Sequence, residues 1–372
     1  MRSIRVGSRT LVASEVLGSY WFVASERQRM YHGRLHGDPG PWSSDPILSA
    51  HRFTNAYRAA DRVSQDLIRA QYEGPQDATN LLLRTLVFRF FNKPETWRLI
   101  EDSVGVVSTR TFDVPVINLA LEAAMTRGER VYSPAYIIPP PPFGARRKHL
   151  NHLRLIEHIL ASGAADAIGE ARSLQQVYEI LSSYPSLGPF LAFQLTIDLN
   201  YTTLIHFDEN EFVVAGPGAR SGLAKCFVDT DGLSPADVIR WAVEHQGEEF
   251  ARYELDFHDL FGRPLALIDC QNLFCETDKY ARVAHPDTAG IGARTRIKQR
   301  YVPGRAVSVP FFPPKWGINQ TVNAQLGLRV RPEKSGHPAH SSRRLQQLVV
   351  SSPRPADELP RREGEVAVSQ GS

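Results

Sequence analysis

Apolar residues recur at helical spacing through most of this chain. Stretches around residues 52–70, 78–91, 150–161, 172–183, 190–199 and 235–250 place them three and four positions apart, and sustained two-residue alternation is scarce. The pattern predicts a mainly α-helical protein, a helical bundle. Leu174, Val177, Tyr178 and Leu181 share one face of a helical stretch, and Phe190, Leu191, Phe193, Leu195 and Ile197 make the next stretch largely apolar. Between the two, Pro185 and Gly188 interrupt the run. Pro189 stands where a new helix tolerates proline, because the first-turn N–H groups have no intrahelical acceptor. The expectation is a helix, a tight turn and a helix. An ordinary αα-hairpin joining two packed helices satisfies the same pattern.

Breaks in the pattern divide the chain. The run Ile137-Ile-Pro-Pro-Pro-Pro-Phe reads as an extended connector, so an N-terminal helical region (1–135) is expected to pass there into a hairpin-containing core and its helical completion (136–318). Residues 319–372 are read as a mostly disordered tail, rich in Pro, Ser, Arg and Glu beyond about Val330, with Leu345, Leu348, Val349 and Val350 as a short apolar patch. Val309-Pro-Phe-Phe-Pro-Pro-Lys-Trp-Gly is bounded by prolines that enforce an extended path. Docking of Phe311, Phe312 and Trp316 on the core is one reading of that segment, and base stacking is the other.

Composition adds bounds. With 372 residues and 42% hydrophobic content the chain can bury one large or two moderate cores, and a formal charge of +3 is too small to prove a nucleic-acid partner. Local clustering matters more. Arg146-Arg147-Lys148 precedes an expected helix, and Arg294, Arg296, Lys298, Arg300 and Arg305 crowd one short segment, either as a solvated face or as phosphate contacts. The three cysteines, Cys226, Cys270 and Cys275, are too few for a four-cysteine iron–sulfur cluster and form no zinc pattern, so no metal or cofactor is expected. Without a signal-type apolar segment or a run of membrane-spanning length, the expectation is a soluble intracellular protein, nuclear in a eukaryote, with no membrane partner.

Chemistry enters at the hairpin. Its turn can aim backbone amides at a phosphate, and Asp208, twenty residues after Gly188, can reach a flipped base. These residues resemble the helix-hairpin-helix DNA glycosylases, in which a glycine-rich hairpin is followed at this interval by a catalytic aspartate. The resemblance implies that Leu187 and Gly188 meet the DNA backbone and that Asp208 serves the base site. Two positions depart from the family. Ser186 replaces the first hairpin glycine, and Phe190 stands where lyase-type members carry a lysine, which argues against Schiff-base chemistry.

A second resemblance covers more of the chain, roughly residues 15 to 318. Pro41-Trp-Ser-Ser-Asp-Pro-Ile-Leu, Phe53-Thr-Asn-Ala-Tyr-Arg, Asp61-Arg-Val-Ser-Gln, Val214-Ala-Gly-Pro-Gly-Ala with Gly222, and Asp269-Cys-Gln-Asn-Leu-Phe-Cys-Glu-Thr-Asp-Lys-Tyr-Ala-Arg occur in order. Together they resemble the helical domain attached to 5-hydroxymethyluracil DNA kinases, a group that includes the α-glutamyl/putrescinyl thymine pyrophosphorylases. The resemblance implies hypermodification of thymine-derived bases in DNA, with pyrophosphate displaced from an activated base by a small amine. A DNA-base-modifying transferase of pyrophosphorylase type is therefore expected. No Gly-x-x-x-x-Gly-Lys-Ser/Thr loop occurs, so kinase activity is not expected from this chain and a separate DNA kinase becomes a candidate partner.

An attacking amine must lose a proton, which a carboxylate can accept, and cations can stabilise departing pyrophosphate. Asp208 ranks first as that carboxylate and Glu276 second; Arg58, Arg62, Lys279, Arg296 and Lys298 are candidate phosphate contacts. Asn55 and Gln65 can read a base edge, and Gly216 and Gly218 allow close backbone approach. Structural alternatives stand beside each: an Arg58–Asp61 pair fixing helix packing, a Glu276–Lys279 salt bridge, and a helix cap at Gly-Pro-Gly. At the level of function, the alternatives are a glycosylase that excises a modified base and a non-catalytic reader of modified DNA.

Overall fold

The fold is seen in a computed structural model that describes residues 1–292, 294–302 and 307–328. Two short strands open the chain, β1 (Arg2–Val6) and β2 (Arg9–Ala13), paired antiparallel with Arg2 opposite Ala13 and Val6 opposite Arg9. Gly7 turns between them at φ 60°, a conformation glycine adopts without steric cost. A third strand, β3 (Phe227–Asp229), adds antiparallel to β2 and completes the sheet in the order β1-β2-β3. Strands of five and three residues offer too few positions for alternation to stand out, so the sequence pattern misses them.

The rest is helical. In chain order come α1 (Val16–His36), α2 (Pro46–Ala50), α3 (Arg62–Tyr72), α4 (Ala78–Phe91), α5 (Pro94–Val104), α6 (Val114–Thr126), α7 (Lys148–Ala161) and α8 (Ala164–Gly169). Then follow α9 (Leu174–Ser182), α10 (Pro189–Leu199), α11 (Pro217–Cys226), α12 (Pro235–Glu244), α13 (Gln246–Arg252), α14 (Leu267–Ala284) and α15 (Asn319–Gln325). Several starts are written in the sequence: Asp77, Asp113 and Ser173 accept first-turn N–H groups, and Ser234 with Asp237 forms a capping box around Pro235. Helix α4 is buried on every side from Asn80 to Phe91, as expected of a helix with no polar face, and it packs against α3, α5, α7, α8 and α10.

Differences from the sequence pattern have local causes. The helix expected from residue 52 begins only at Arg62, after a 3-10 turn at Arg58–Ala60. Upstream, the Thr54 N–H is taken by Glu276 and the Asn55 N–H by Asp61, so these amides need no helix. The stretch 235–250 breaks at His245 into α12 and α13. Helix α1 escapes the pattern because Ser25, Arg27 and Gln28 share its buried surface with apolar residues.

One cluster of buried residues runs from Leu11 to Val322. The boundary expected near residue 135 falls inside this cluster: α1 packs on α11 and α14, and α4 on α7 and α10. Helix α15 carries the described fold past residue 318, with Val322 fully buried, so the expected tail does not begin at 319; residues 329–372, and Arg305 in the basic segment, lie outside the described residues. The proline-bounded segment docks as one reading held, with Phe312 buried and stacked on Trp316 at 6.0 Å. Among the described residues, no helix is long and apolar enough to cross a membrane.

Candidate functional site

The loop after α10, the turn before α14 and the Lys315-Trp316 step enclose a cavity of about 430 Å³. Asn200, His206, Asp208, Glu209, Arg263 and Lys315 line it, with Trp316 on one side. Asn200 shapes the loop by bonding both backbone groups of Phe207, at 3.0 and 3.1 Å. The Asn210 side chain then accepts the Leu267 N–H at 3.2 Å, tying the loop to the first turn of α14. Asp208 stands exposed at the rim, and its carboxylate accepts the Asn210 N–H at 2.9 Å.

Glu209, the next residue, is only 9% exposed. The Arg263 guanidinium lies 3.6 Å from its carboxylate and 4.0 Å above the Trp316 ring, an arrangement that combines charge pairing with cation–π attraction. Lys315 donates to the Thr202 and Ile205 carbonyls at 3.0 and 2.8 Å. Burial raises the Glu209 pKa to about 7 even though Arg263 and Lys315 favour its charged form, and burial lowers Lys315 to about 8. Behind them lies Asp269, buried and raised to about 6 by desolvation, accepting N–H groups of Arg58 at 2.7 Å and Ala266 at 3.1 Å. A carboxylate that titrates near neutrality beside two cations, an aromatic face and an exposed carboxylate can move protons and hold an anion.

Deeper in the core, Asp198 of α10 receives two arginines. Arg58 reaches it at 2.7 Å and Arg89 chelates it at 2.7 and 2.8 Å, while Arg58 also donates to Gln194 at 2.9 Å. With a side chain 1% exposed, Arg58 is neither the phosphate contact nor the Asp61 partner that the sequence allowed. Its charge is committed to a buried triad. Asp61 instead accepts the Asn55 N–H at 2.8 Å, and burial raises its pKa to about 7.

The other candidates disperse. Asn55 is consumed by Arg27 at 2.9 Å and the Ala60 carbonyl at 2.8 Å, and Gln65 clamps the Ala59 carbonyl and the Phe311 N–H, each at 2.7 Å; both position backbone away from the cavity and neither is placed to read a base. Glu276 bonds the Thr54 N–H at 3.1 Å and Lys279 at 3.0 Å, and Lys279 covers the Phe53 ring at 4.3 Å. That pair fastens residues 53–54 to α14, as the salt-bridge alternative had it. Gly216 and Gly218 serve close packing: an added Cβ would meet Phe190 at 2.7 Å or the Cys275 sulfur at 2.3 Å. They are not cavity walls. Arg62 is exposed on α3. Arg296 and Lys298 are exposed beside Arg294, Arg300 and Arg52, on a segment pinned to α2 by Arg52 N–H to Gln299 and Tyr301 N–H to Ala50 bonds of 3.1 and 3.0 Å.

The hairpin turn itself is built. Leu187 is buried, Gly188 is the exposed N-cap of α10, and Ser186 takes φ 67°, the left-handed conformation in which glycine is least costly. The turn therefore keeps that backbone conformation at the position where the sequence lacks the glycine. Sequence reasoning missed Glu209, Arg263 and Lys315 as cavity groups, and Asp269 as the buried carboxylate behind them. Glu209 was signalled only by its adjacency to Asp208, and Arg263 and Lys315 come from segments that the fold alone brings together.

Fold and site together define a mainly helical protein with an open, polar cavity whose buried carboxylate is flanked by cations. The chain belongs to the family described as the 5-hmdU DNA kinase, helical domain, whose model matches residues 14–290. It is similar to the 5-hmdU DNA kinase of Bacillus phage SP10, with 27% identity over 284 residues that cover 70% of this chain and 44% of the relative. The chain thus spans less than half the length of the curated relative it matches. No solved structure gives a significant match. The relative corrects one expectation: the missing Gly-x-x-x-x-Gly-Lys-Ser/Thr loop does not set this chain apart from kinase activity, because the family takes its name from a DNA kinase and the relative is one. That loop is one solution among several for holding a nucleotide; protein kinases use a different glycine-rich loop.

Proposed function

We propose that this chain takes part in hypermodification of 5-hydroxymethyluracil in DNA, and that the cavity at Asp208 receives the extruded base. The observation that carries the reading is the coincidence of family and site: in a member of the 5-hmdU DNA kinase helical-domain family, the aspartate at the helix-hairpin-helix interval lies on the rim of a cavity with a near-neutral carboxylate and two cations. The exposed basic segment carrying Arg296 and Lys298, Arg62 on α3, and the first-turn amides of α10 behind Gly188 supply charge and donors for the phosphate backbone. Trp316 holds the Arg263 guanidinium at the cavity wall.

At the hydroxymethyl arm the relevant step is phosphorylation, the reaction named for the phage relative. A second reading is favoured by the paired cations Arg263 and Lys315, which suit an anionic leaving group: an amine attacks the exocyclic methylene of an activated base, loses its proton to a carboxylate, and pyrophosphate departs. Mass spectrometry of nucleosides separates the two. DNA containing 5-hydroxymethyluracil, its pyrophosphorylated form or thymine is incubated with the protein, nucleoside triphosphate and a polyamine, then digested. A phosphorylated nucleoside supports the first reading and an amine-bearing nucleoside the second. Free base with an abasic site would mean excision and would overturn both.

A further inference from the structure

We propose that Glu209, Arg263, Lys315 and Trp316 form a subsite for a phosphate or diphosphate group borne on the base, and that filling it is coupled to protonation of Glu209. The inference rests on the preceding reading of the cavity as the base site. Its geometry is independent of that reading. Arg263 is held over Trp316 at 4.0 Å, so its guanidinium is fixed at the cavity wall, and its acidic neighbour there is Glu209 at 3.6 Å, a loose contact. Lys315 spends two donors on the Thr202 and Ile205 carbonyls, leaving its third N–H for the cavity it lines.

An anion entering here competes with the Glu209 carboxylate for the same cations. Two negative groups in one partly desolvated site are costly, so the anion is best received when Glu209 takes up a proton. The groups facing Glu209 are Arg263 and Lys315, which oppose that protonation, Asp269 behind it, which favours it, and the Trp316 side chain. Asp208 and His206 line the same cavity. Burial sets Glu209 near 7, so the coupling falls within ordinary assay conditions; Lys315, near 8, adds a second loss of cation as pH rises.

The test is titration of the full chain, followed by intrinsic tryptophan fluorescence and calorimetry, with inorganic pyrophosphate and with 5-phosphomethyl-2′-deoxyuridine between pH 6 and 9. Wild type should bind both, with affinity falling as pH rises and approaching about tenfold per unit above the Glu209 pKa for uptake of one proton. Glu209→Gln should hold the wild-type acid-limit affinity up to the Lys315 limb, and Arg263→Ala should lose binding with its circular dichroism spectrum unchanged. Absence of binding to wild type, or a Glu209→Gln profile that superimposes on wild type, overturns the proposal. If the small anions bind as described while 5-hydroxymethyluracil DNA shows no preference over thymine DNA, the subsite stands and the base-site reading falls.

Discussion

Asp198 illustrates how a single residue can belong to the core when its neighbours suggest a site. One carboxylate between two buried guanidinium groups leaves an excess positive charge, offset by the bonds of Arg89 to Asp198 and Asn92 and of Arg58 to Asp198 and Gln194, although the Arg58 Nη1 is buried without a partner among the described residues. Asp198→Ala should therefore destabilise the fold by about 3–5 kcal/mol, since it strands two buried cations; chemical denaturation measures it, and a loss below 1 kcal/mol, on the order of an exposed pair, would contradict the account. Asp61 gives a prediction of opposite sense. Its folded pKa, raised to about 7 by burial, lies above the ordinary carboxylate value, so its contribution to stability is present at low pH and is lost as pH rises through about 7. Asp61→Asn keeps an acceptor for the Asn55 N–H without the charge, so the variant should match wild type near pH 4 and be the more stable of the two at pH 8. Thermal melts at the two values check this.

At the scale of elements, α11 and α14 make the most extensive helix–helix contact among the described residues. Gly222 lies so near α14 that an added Cβ would stand 1.9 Å from the Phe274 carbonyl oxygen. A mid-helix glycine replaced by alanine ordinarily gains about 1 kcal/mol of helix propensity. Here Gly222→Ala should instead lower the melting temperature, by the equivalent of about 1–3 kcal/mol of overpacking, because backbone cannot rotate away. The hairpin was legible because proline and glycine punctuate two apolar runs, and the capped helices because Asp, Ser and Pro mark their starts. The sheet was not legible, nor was α1: five-residue strands carry little periodic signal, and α1 buries arginine and glutamine among its apolar residues. The site followed the same division. Asp208 could be found from its interval to Gly188, but Arg58 was misread, because nothing local distinguishes an arginine bound for a core aspartate from one bound for phosphate. Arg263 and Lys315 were invisible until distant segments came together.

Across the whole molecule, the cavity and the exposed basic segment around Arg296 divide the work proposed for them, chemistry at one and backbone attraction at the other. The net charge of +3 is too small to act as a field by itself, so binding should depend on local cations. Replacing Arg296 and Lys298 together by alanine should weaken DNA binding regardless of sequence and reduce the salt slope by about 1.8, at about 0.9 per phosphate contact for duplex DNA. Binding isotherms over a salt series measure this, and an unchanged slope would remove the segment from the interface. The central claim is that the cavity at Asp208 acts on 5-hydroxymethyluracil in DNA. Its most direct test is nucleoside mass spectrometry after incubation of wild type and Asp208→Asn with 5-hydroxymethyluracil DNA and nucleoside triphosphate. The account predicts a modified nucleoside with wild type, and none with the folded, DNA-binding variant. Equal product from both proteins, or unaltered 5-hydroxymethyluracil after incubation with wild type, would contradict it.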